Sequence, residues 1–226
     1  MKEYWAIPPE HSAEFVAAME DVLAVYQRPP DPVHPVICMD ETSKQLVSET
    51  RISLPAGPGQ PQREDYEYER HGVANLFLFC EPLTGWREVQ VTERRTRIDW
   101  AVAMHELSDR HYPAAERITV VLDNLNTHGP ASFYETFAPE EARRLTERFE
   151  FHYTPKHGSW LNMAEIEFSV LSRQCLNRRI GEAEVLRSEV RAWQQQRNAA
   201  SKTIDWQFTA TDARIKLKRL YPVIQT

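Results

Sequence analysis

Two apolar runs in the sequence each end in an aspartate. VICMD ends at Asp40 and TVVLD ends at Asp123. A carboxylate at the edge of a buried strand is costly to desolvate unless it is paired, hydrogen-bonded or bound to metal. If the two strands are neighbours in one sheet, the carboxylates meet, and a divalent cation resolves their repulsion. Each aspartate taken alone also suits the start of a turn.

A third acid is available in the segment KHGSWLNMAEIEF, which carries Glu165 and Glu167 two residues apart. The segment is predicted to be helical, and at about 100° per residue the two glutamates flank the same apolar stripe on opposite sides. Periodicity therefore does not choose between them. Asn162 also fits a helix N-cap with Glu165 reaching back to it, so capping stays open as an alternative to catalysis.

The surrounding elements predict an α/β protein with strands first, then alternating helices and strands, then helices. VICMD and SKQLVSETRIS are predicted as two separate strands, and GVANLFLFCEPLTGWREVQVTERR as two strands around a turn. RITVVLDN and EFHYTP are further strands. Helices are predicted over residues 10–28, 98–110, 160–177, 182–199 and 210–220, with one or two more around Pro139. This order favours a mixed sheet with helices packed on its faces.

Charge is unevenly distributed along the 226 residues. Residues 151–226 hold 12 Lys and Arg against 7 Asp and Glu (12 − 7 = +5), whereas residues 1–150 hold 15 against 26 (15 − 26 = −11). A basic last third is suited to a phosphate backbone, although a solvated helical surface would look the same. Three distant cysteines indicate free buried thiols in a reducing cytosol. No stretch is long and apolar enough for a membrane span or a secretion signal.

Three blocks resemble the motifs of mariner-like DDE transposases, most of all the bacterial insertion-sequence branch. They are CMDE at 38–41, VLDNLNTH at 121–128 and YTPKHGSWLNMAEIEFSVLSRQCL at 153–176. The similarity runs from about residue 3 to the C-terminus and includes DYEYERHGVANLFLF, GWREV and DARIKLKRLYP. It implies an α/β, ribonuclease H-like mixed sheet with helices on both faces. We assign residues 1–30 to an N-terminal connector helix and linker, and residues 31–226 to the catalytic domain.

The resemblance also assigns the site. Asp40 and Asp123 match the family's first two acids, and the block LNMAE places the third acid at Glu165, leaving Glu167 as a supporting or surface-pairing residue. Many relatives have proline where this chain has Met163. This difference affects the start of the helix and not the residues expected to bind metal. The three acids are expected to hold two Mg²⁺ (or Mn²⁺) ions about 4 Å apart.

Further residues receive supporting roles from the same blocks. His128 could orient a ligand or a phosphate, although a lone histidine near a strand end is more often structural. Supporting roles are also predicted for Asn124 and Asn162. Contacts to DNA are predicted for Lys156, His157, Trp160 and Arg173, with loop packing as the alternative for the first three.

The implied function is metal-dependent DNA cleavage at transposon ends followed by strand transfer into target DNA. A non-catalytic or degenerate regulatory fragment and a purely hydrolytic ribonuclease H-like nuclease remain alternatives. A two-carboxylate hydrolase such as a glycosidase is disfavoured, because that function would not explain the basic last third of the chain. We expect a homodimer located in the bacterial cytoplasm and on the nucleoid. No helix-turn-helix fits before Asp40, so a separate or missing upstream DNA-binding region is expected.

Overall fold

A five-stranded mixed sheet forms the centre of the protein. The computed structural model describes residues 11–52, 54–61, 63 and 65–223. The strand order is β3-β2-β1-β4-β5, in which β1 pairs antiparallel with β2, β2 antiparallel with β3, and β4 parallel with both β1 and β5. The strands are β1 Val36–Glu49, β2 Tyr68–Glu81, β3 Trp86–Thr92, β4 Ile118–Leu122 and β5 Phe149–Tyr153.

The prediction of two strands before residue 52 is wrong, because β1 is one strand of 14 residues that continues through Asp40. Its partner β2 is equally long, and the antiparallel ladder extends from Cys38 opposite Cys80 to Glu49 opposite Tyr68. The register shifts between Gln45 and Val47, which marks an irregularity in an otherwise continuous ladder. The predicted hairpin of β2 and β3 is confirmed, as are β4 and β5.

Helices cover both faces of the sheet. Side chains alternate along a strand, so Cys38 of β1 belongs to one hydrophobic core and Met39 to the other. The Cys38 face is covered by α1, α5, α6 and α7, and the Met39 face by α2, α3 and α4. The helices are α1 Ala13–Val25, α2 Arg97–Glu106, α3 Pro130–Thr136, α4 Pro139–Arg148, α5 Met163–Leu171, α6 Ala183–Ala199 and α7 Ala210–Lys216.

Several predicted helices change type before they end. The helix predicted over 98–110 is α2 followed by a π-helical turn, Leu107–His111, and the one predicted over 160–177 is α5 followed by another, Ser172–Leu176. A 3₁₀ turn, Ser159–Leu161, precedes α5, so the helix begins later than its apolar pattern suggests. Pro139 starts α4 at a position where the missing proline N–H costs nothing.

Helix α1 packs into the core of the Cys38 face. Phe15, Met19, Val22 and Leu23 are each at most 3% exposed there. The helix predicted over 10–28 thus spans Ala13–Val25, and residues 1–10 of the predicted connector lie outside the described part of the chain. The domain boundary at residue 30 stays a prediction. Within the residues described, helices long and apolar enough to cross a membrane are absent.

Candidate active site

Asp40 and Asp123 lie side by side at one edge of the β1–β4 pair. The parallel register joins Val36 to Thr119 and Cys38 to Val121. Two residues after this last pair come Asp40, still on β1, and Asp123, the first residue after β4, and neighbouring strands lie about 4.8 Å apart. The apolar run before Asp40 predicts that the strand ends there, and this prediction is wrong. It is β4 that stops at Leu122, while β1 continues in its pairing with β2.

Asn162 attaches the start of helix α5 to the strand that carries Asp40. Its Oδ1 accepts a hydrogen bond from the Ala164 amide (3.1 Å), as an N-cap does, and its Nδ2 donates to the Met39 carbonyl (2.8 Å). The first helical position is Met163, whose amide donates to the Tyr26 hydroxyl (3.4 Å). The predicted supporting role of Asn162 therefore has a concrete form, since it anchors the helix next to the first aspartate.

The two glutamates of α5 point in different directions. Glu165 is exposed, and its carboxylate accepts no hydrogen bond from a described residue, so the capping alternative is not what the structure shows. Glu167 is 1% exposed, and its carboxylate pairs with Arg87 (3.1 Å) and Arg197 (2.6 Å). The surface-pairing alternative for Glu167 is wrong, because both arginines reach it inside the protein.

The electrostatics of the three acids show that they share one environment. The pKa of Asp40 is raised to about 7, chiefly by burial and in part by the charges of Glu165 and Asp123, against the opposing hydrogen bond from the Glu41 amide. Burial and the charge of Asp123 also raise the pKa of Glu165. The negative charge of neighbouring acids therefore helps to raise the pKa values of Asp40 and Glu165, as in sites built to receive positive charge.

His128 contacts the second aspartate directly. Its Nδ1 lies 2.7 Å from Asp123 Oδ1, and its Nε2 lies 3.4 Å from Glu41 Oε2. Burial alone would lower the pKa of His128, but the hydrogen bonds to Asp123 and Glu41 raise it to about 9. The imidazolium is therefore the dominant form at neutral pH in the metal-free protein.

Sequence reasoning assigned no role to Glu41 and Arg95, which also belong to the site. Glu41 follows Asp40 on β1, and Arg95 Nη1 contacts its carboxylate at 3.3 Å. Arg95 precedes α2 and is exposed. The available signal was alternation along β1, which puts Glu41 on the face opposite Asp40. Alternation did not reveal which residue contacts Glu41, because His128 is 87 residues away in the sequence.

The other predicted residues surround the acids less closely. Asn124 is exposed beside Asp123, and Lys156 and His157 are exposed in the loop after β5, where His157 has a φ of 66°. Trp160 is half-buried, with its ring edge-on to Phe208 at 5.8 Å between centroids. This contact supports loop packing for Trp160. The DNA contacts predicted for Lys156, His157, Trp160 and Arg173 stay predictions.

The basic last third is partly neutralised by acids from earlier in the chain. Arg179 pairs with Glu49 (2.6 Å), and Arg214 pairs with Glu20 (2.7 Å). Arg173 is exposed and donates to Ser169 (3.0 Å). The separation of acidic and basic residues along the sequence is therefore less pronounced in the folded protein. Exposed basic side chains without an acidic partner among the described residues, such as Arg173, remain the candidates for phosphate contacts.

A second group of possible metal ligands, His105, Asp109 and Glu141, lies on the α2–α4 side of the sheet. Arg144 already donates to both carboxylates, at 2.8 Å to Asp109 and 2.6 Å to Glu141. A guanidinium in that position supplies the positive charge that a cation would bring. We therefore do not assign this group as a metal centre.

A mixed sheet with one aspartate on β1, a second directly after the neighbouring β4 and a glutamate on the helix α5 defines a ribonuclease H-like domain of the DDE type. The chain belongs to the DDE superfamily endonuclease family, which matches residues 35–187. A comparison with curated proteins finds no match. The predicted mariner-like DDE resemblance is confirmed at the level of the family, and the bacterial branch stays a prediction.

Solved structures of the Mos1 transposase share the fold. The paired-end complex with the left transposon end has a TM-score of 0.57 at 15% identity, covering 89% of this chain and 61% of the Mos1 chain. The mariner Mos1 paired-end complex with Mg has a TM-score of 0.57 at 14% identity, with coverages of 99% and 67%. The Mos1 strand transfer complex has a TM-score of 0.56 at 13% identity, with coverages of 91% and 67%.

These similarities confirm the predicted ribonuclease H-like α/β fold with helices on both faces. The chain spans about three fifths of the first of these Mos1 chains.

Proposed function

We propose that this chain is the catalytic part of a DNA transposase that cleaves DNA at transposon ends and joins the freed 3′ ends to target DNA. The observation that carries the proposal is the placement of Asp40 and Asp123 at matching positions of two neighbouring parallel strands, with Glu165 near enough for its charge to raise the pKa of Asp40. Carboxylates whose pKa values are raised by neighbouring negative charge, as those of Asp40 and Glu165 are, form a poor structural cluster and a good cation site.

The donor set fits Mg²⁺ or Mn²⁺. All three side chains offer carboxylate oxygens, the ligands that hard divalent cations prefer, and Glu165 has no competing partner among the described residues. Asp40, Asp123 and Glu165 would hold the two ions. When bound, such ions polarise the scissile phosphate, activate the attacking water or 3′-hydroxyl and neutralise the leaving oxygen.

The chain's own residues position the chemistry. Asn162 anchors α5 on β1, so Glu165 is presented from a rigid helix and not from a loop. Glu167 fixes that helix from its buried side through Arg87 and Arg197. Asp40 is presented from β1, and Asp123 directly follows the last residue of the neighbouring strand β4. A site built on such elements holds its ligands more precisely than one built on loops.

The partners follow from the same proposal. DNA is the substrate, both as transposon end and as target, and the Mos1 complexes of the same fold contain a transposon end or a strand transfer assembly. We infer a homodimer, because two ends have to be brought together, and an additional DNA-binding region to select the ends. We propose that the protein acts on DNA in the bacterial nucleoid. Free buried thiols at all three cysteines suit a reducing compartment.

The test is a metal-dependent nicking and strand-transfer assay on DNA from the ends of the encoding element. Asp40→Asn, Asp123→Asn and Glu165→Gln should each abolish nicking, whereas Glu147→Gln, which removes an exposed carboxylate on α4, should not. Nicking without joined products would identify a hydrolytic nuclease. No metal-dependent nicking by the folded wild type would favour a regulatory fragment and refute the proposal.

A further inference from the structure

Glu41 contacts Asp40, the residue before it on β1, and also His128, the histidine beside Asp123. Its main-chain amide donates to Asp40 Oδ1 at 2.7 Å. Its side chain points to the opposite face of the sheet, because successive residues of a strand alternate. On that face its carboxylate, 6% exposed, meets His128 and Arg95.

The His128 ring is held in one plane by its neighbours. Trp100, which is fully buried, stacks on it at 5.6 Å between centroids with 24° between the planes. Nδ1 lies 2.7 Å from Asp123 Oδ1 and 3.3 Å from the Asp123 main-chain carbonyl, and Nε2 lies 3.4 Å from Glu41 Oε2. A stacked ring can still rotate in its plane. Contacts on both nitrogens are what remove that freedom.

Asp123 depends on this arrangement for its orientation. The side-chain contact recorded for its carboxylate among described residues is the one from His128 to Oδ1. Partners of this kind, one step removed from a metal ligand, commonly change metal affinity by about 10–100-fold when they are removed.

We propose that Glu41 is a positioning residue, which orients Asp40 through its main-chain amide and Asp123 through its carboxylate acting on His128. Arg95 holds the Glu41 carboxylate from the solvent side at 3.3 Å, so the chain of contacts runs from the surface to the second aspartate. This inference rests on the proposed metal-dependent function, and it adds a residue for which the family match assigns no role.

The experiment combines Glu41 variants with two changes of His128. Glu41→Ala removes the contact, and Glu41→Gln keeps an acceptor without the charge. His128→Asn places an amide near Nδ1 and keeps a donor for Asp123, but it cannot reach Glu41; His128→Gln does the reverse. Glu49→Ala is the matched control, because Glu49 is on the same strand and pairs with an arginine, Arg179, away from the acids.

Two measurements are made on the folded full chain. The first is ¹H–¹⁵N NMR of the His128 ring without metal, in which Glu41→Ala should shift the Nε2 signal and Glu49→Ala should not. The second is Mn²⁺ titration followed by electron paramagnetic resonance of the free ion. Glu41→Ala should weaken Mn²⁺ binding about tenfold or more, with Glu41→Gln intermediate and Glu49→Ala unchanged.

A double-mutant cycle separates positioning from simple loss of charge. In the His128→Asn background, Glu41→Ala should weaken Mn²⁺ binding less than about twofold, because its contact is already gone. Equal weakening in both backgrounds, or no weakening in either, would overturn the inference. If the wild type binds no Mn²⁺, the proposed function fails. The ring signals then decide by themselves whether Glu41 holds His128, and an unshifted Nε2 signal refutes the contact.

Discussion

Glu165 and Glu167 are two residues apart on one helix, yet neutralising them should have opposite consequences. Glu167 is 1% exposed and pairs with Arg87, also 1% exposed, and with Arg197. Glu167→Gln keeps the volume of the side chain but leaves two cations without a counter-charge. Breaking a buried ion pair from one side costs about 3–5 kcal/mol, because the remaining charge is left uncompensated.

The expected cost for Glu167→Gln is near the lower end of that range, about 3 kcal/mol. Arg87 keeps hydrogen bonds to the carbonyls of Gly85 (2.7 Å) and Lys202 (2.6 Å), which continue to accept from it. For a chain of this length, about 3 kcal/mol corresponds to a fall in Tm of roughly 6–12 °C. Glu165→Gln should leave the metal-free stability within about 0.5 kcal/mol, or raise it slightly by relieving repulsion with the aspartates.

The assay is guanidinium denaturation followed by tryptophan fluorescence, with EDTA present to remove divalent ions. Wild type, Glu165→Gln and Glu167→Gln are compared at one pH and one ionic strength. Equal destabilisation by the two variants would refute the assignment of buried and exposed roles. A Glu167→Gln protein as stable as the wild type would show that the ion cluster does not hold α5 in place.

Three further outcomes follow from the same geometry. The pKa of Asp40 is raised to about 7 in the folded protein, so Asp40 ionises at lower pH in the unfolded chain than in the folded one. The metal-free protein should therefore lose stability as pH rises from about 4 to 7. Asp40→Asn should remove that loss, which denaturation curves at several pH values would measure. Mn²⁺ at 100 times its Kd should stabilise the wild type by about 2.7 kcal/mol, seen as a rise in Tm that Asp123→Asn abolishes. Asn162→Ala should cost about 2–4 kcal/mol in denaturant, because it removes the cap of α5 and leaves the Met39 carbonyl unpaired; a cost below about 0.5 kcal/mol would show that the anchor is dispensable.

Local patterns predicted most of the elements, and they failed where long-range pairing decides. The apolar runs of β2, β3, β4 and β5 were long enough to identify each strand. The run ending at Asp40 suggested a strand end, since the residues that follow it are polar. Pairing with the 14 residues of β2 carries β1 on past Asp40. Backbone hydrogen bonds to a partner strand outweigh weak local propensity.

The third acid shows the same division. The motif LNMAE singled out Glu165, and the structure places that residue, exposed, within the electrostatic reach of the aspartates. Helical periodicity alone left both glutamates equivalent. What separates them is the pair of arginines from β3 and α6 that surround Glu167. Those arginines are 80 and 30 residues away in sequence, so no local pattern could have revealed the pairing.

The sequence by itself determined the order of the three acids, the class of fold and the residue in the third motif that matches the family, because motif spacing and apolar periodicity are local properties. Only the tertiary structure decided that Glu41 and His128 form a chain of contacts to Asp123, and that several cations of the last third pair with acids from earlier in the chain. The physical reason is that charges interact through space. The parallel pairing of β1 with β4 and the packing of the helices determine which charges lie close together. Neither can be deduced from the residues that neighbour each charge in the sequence.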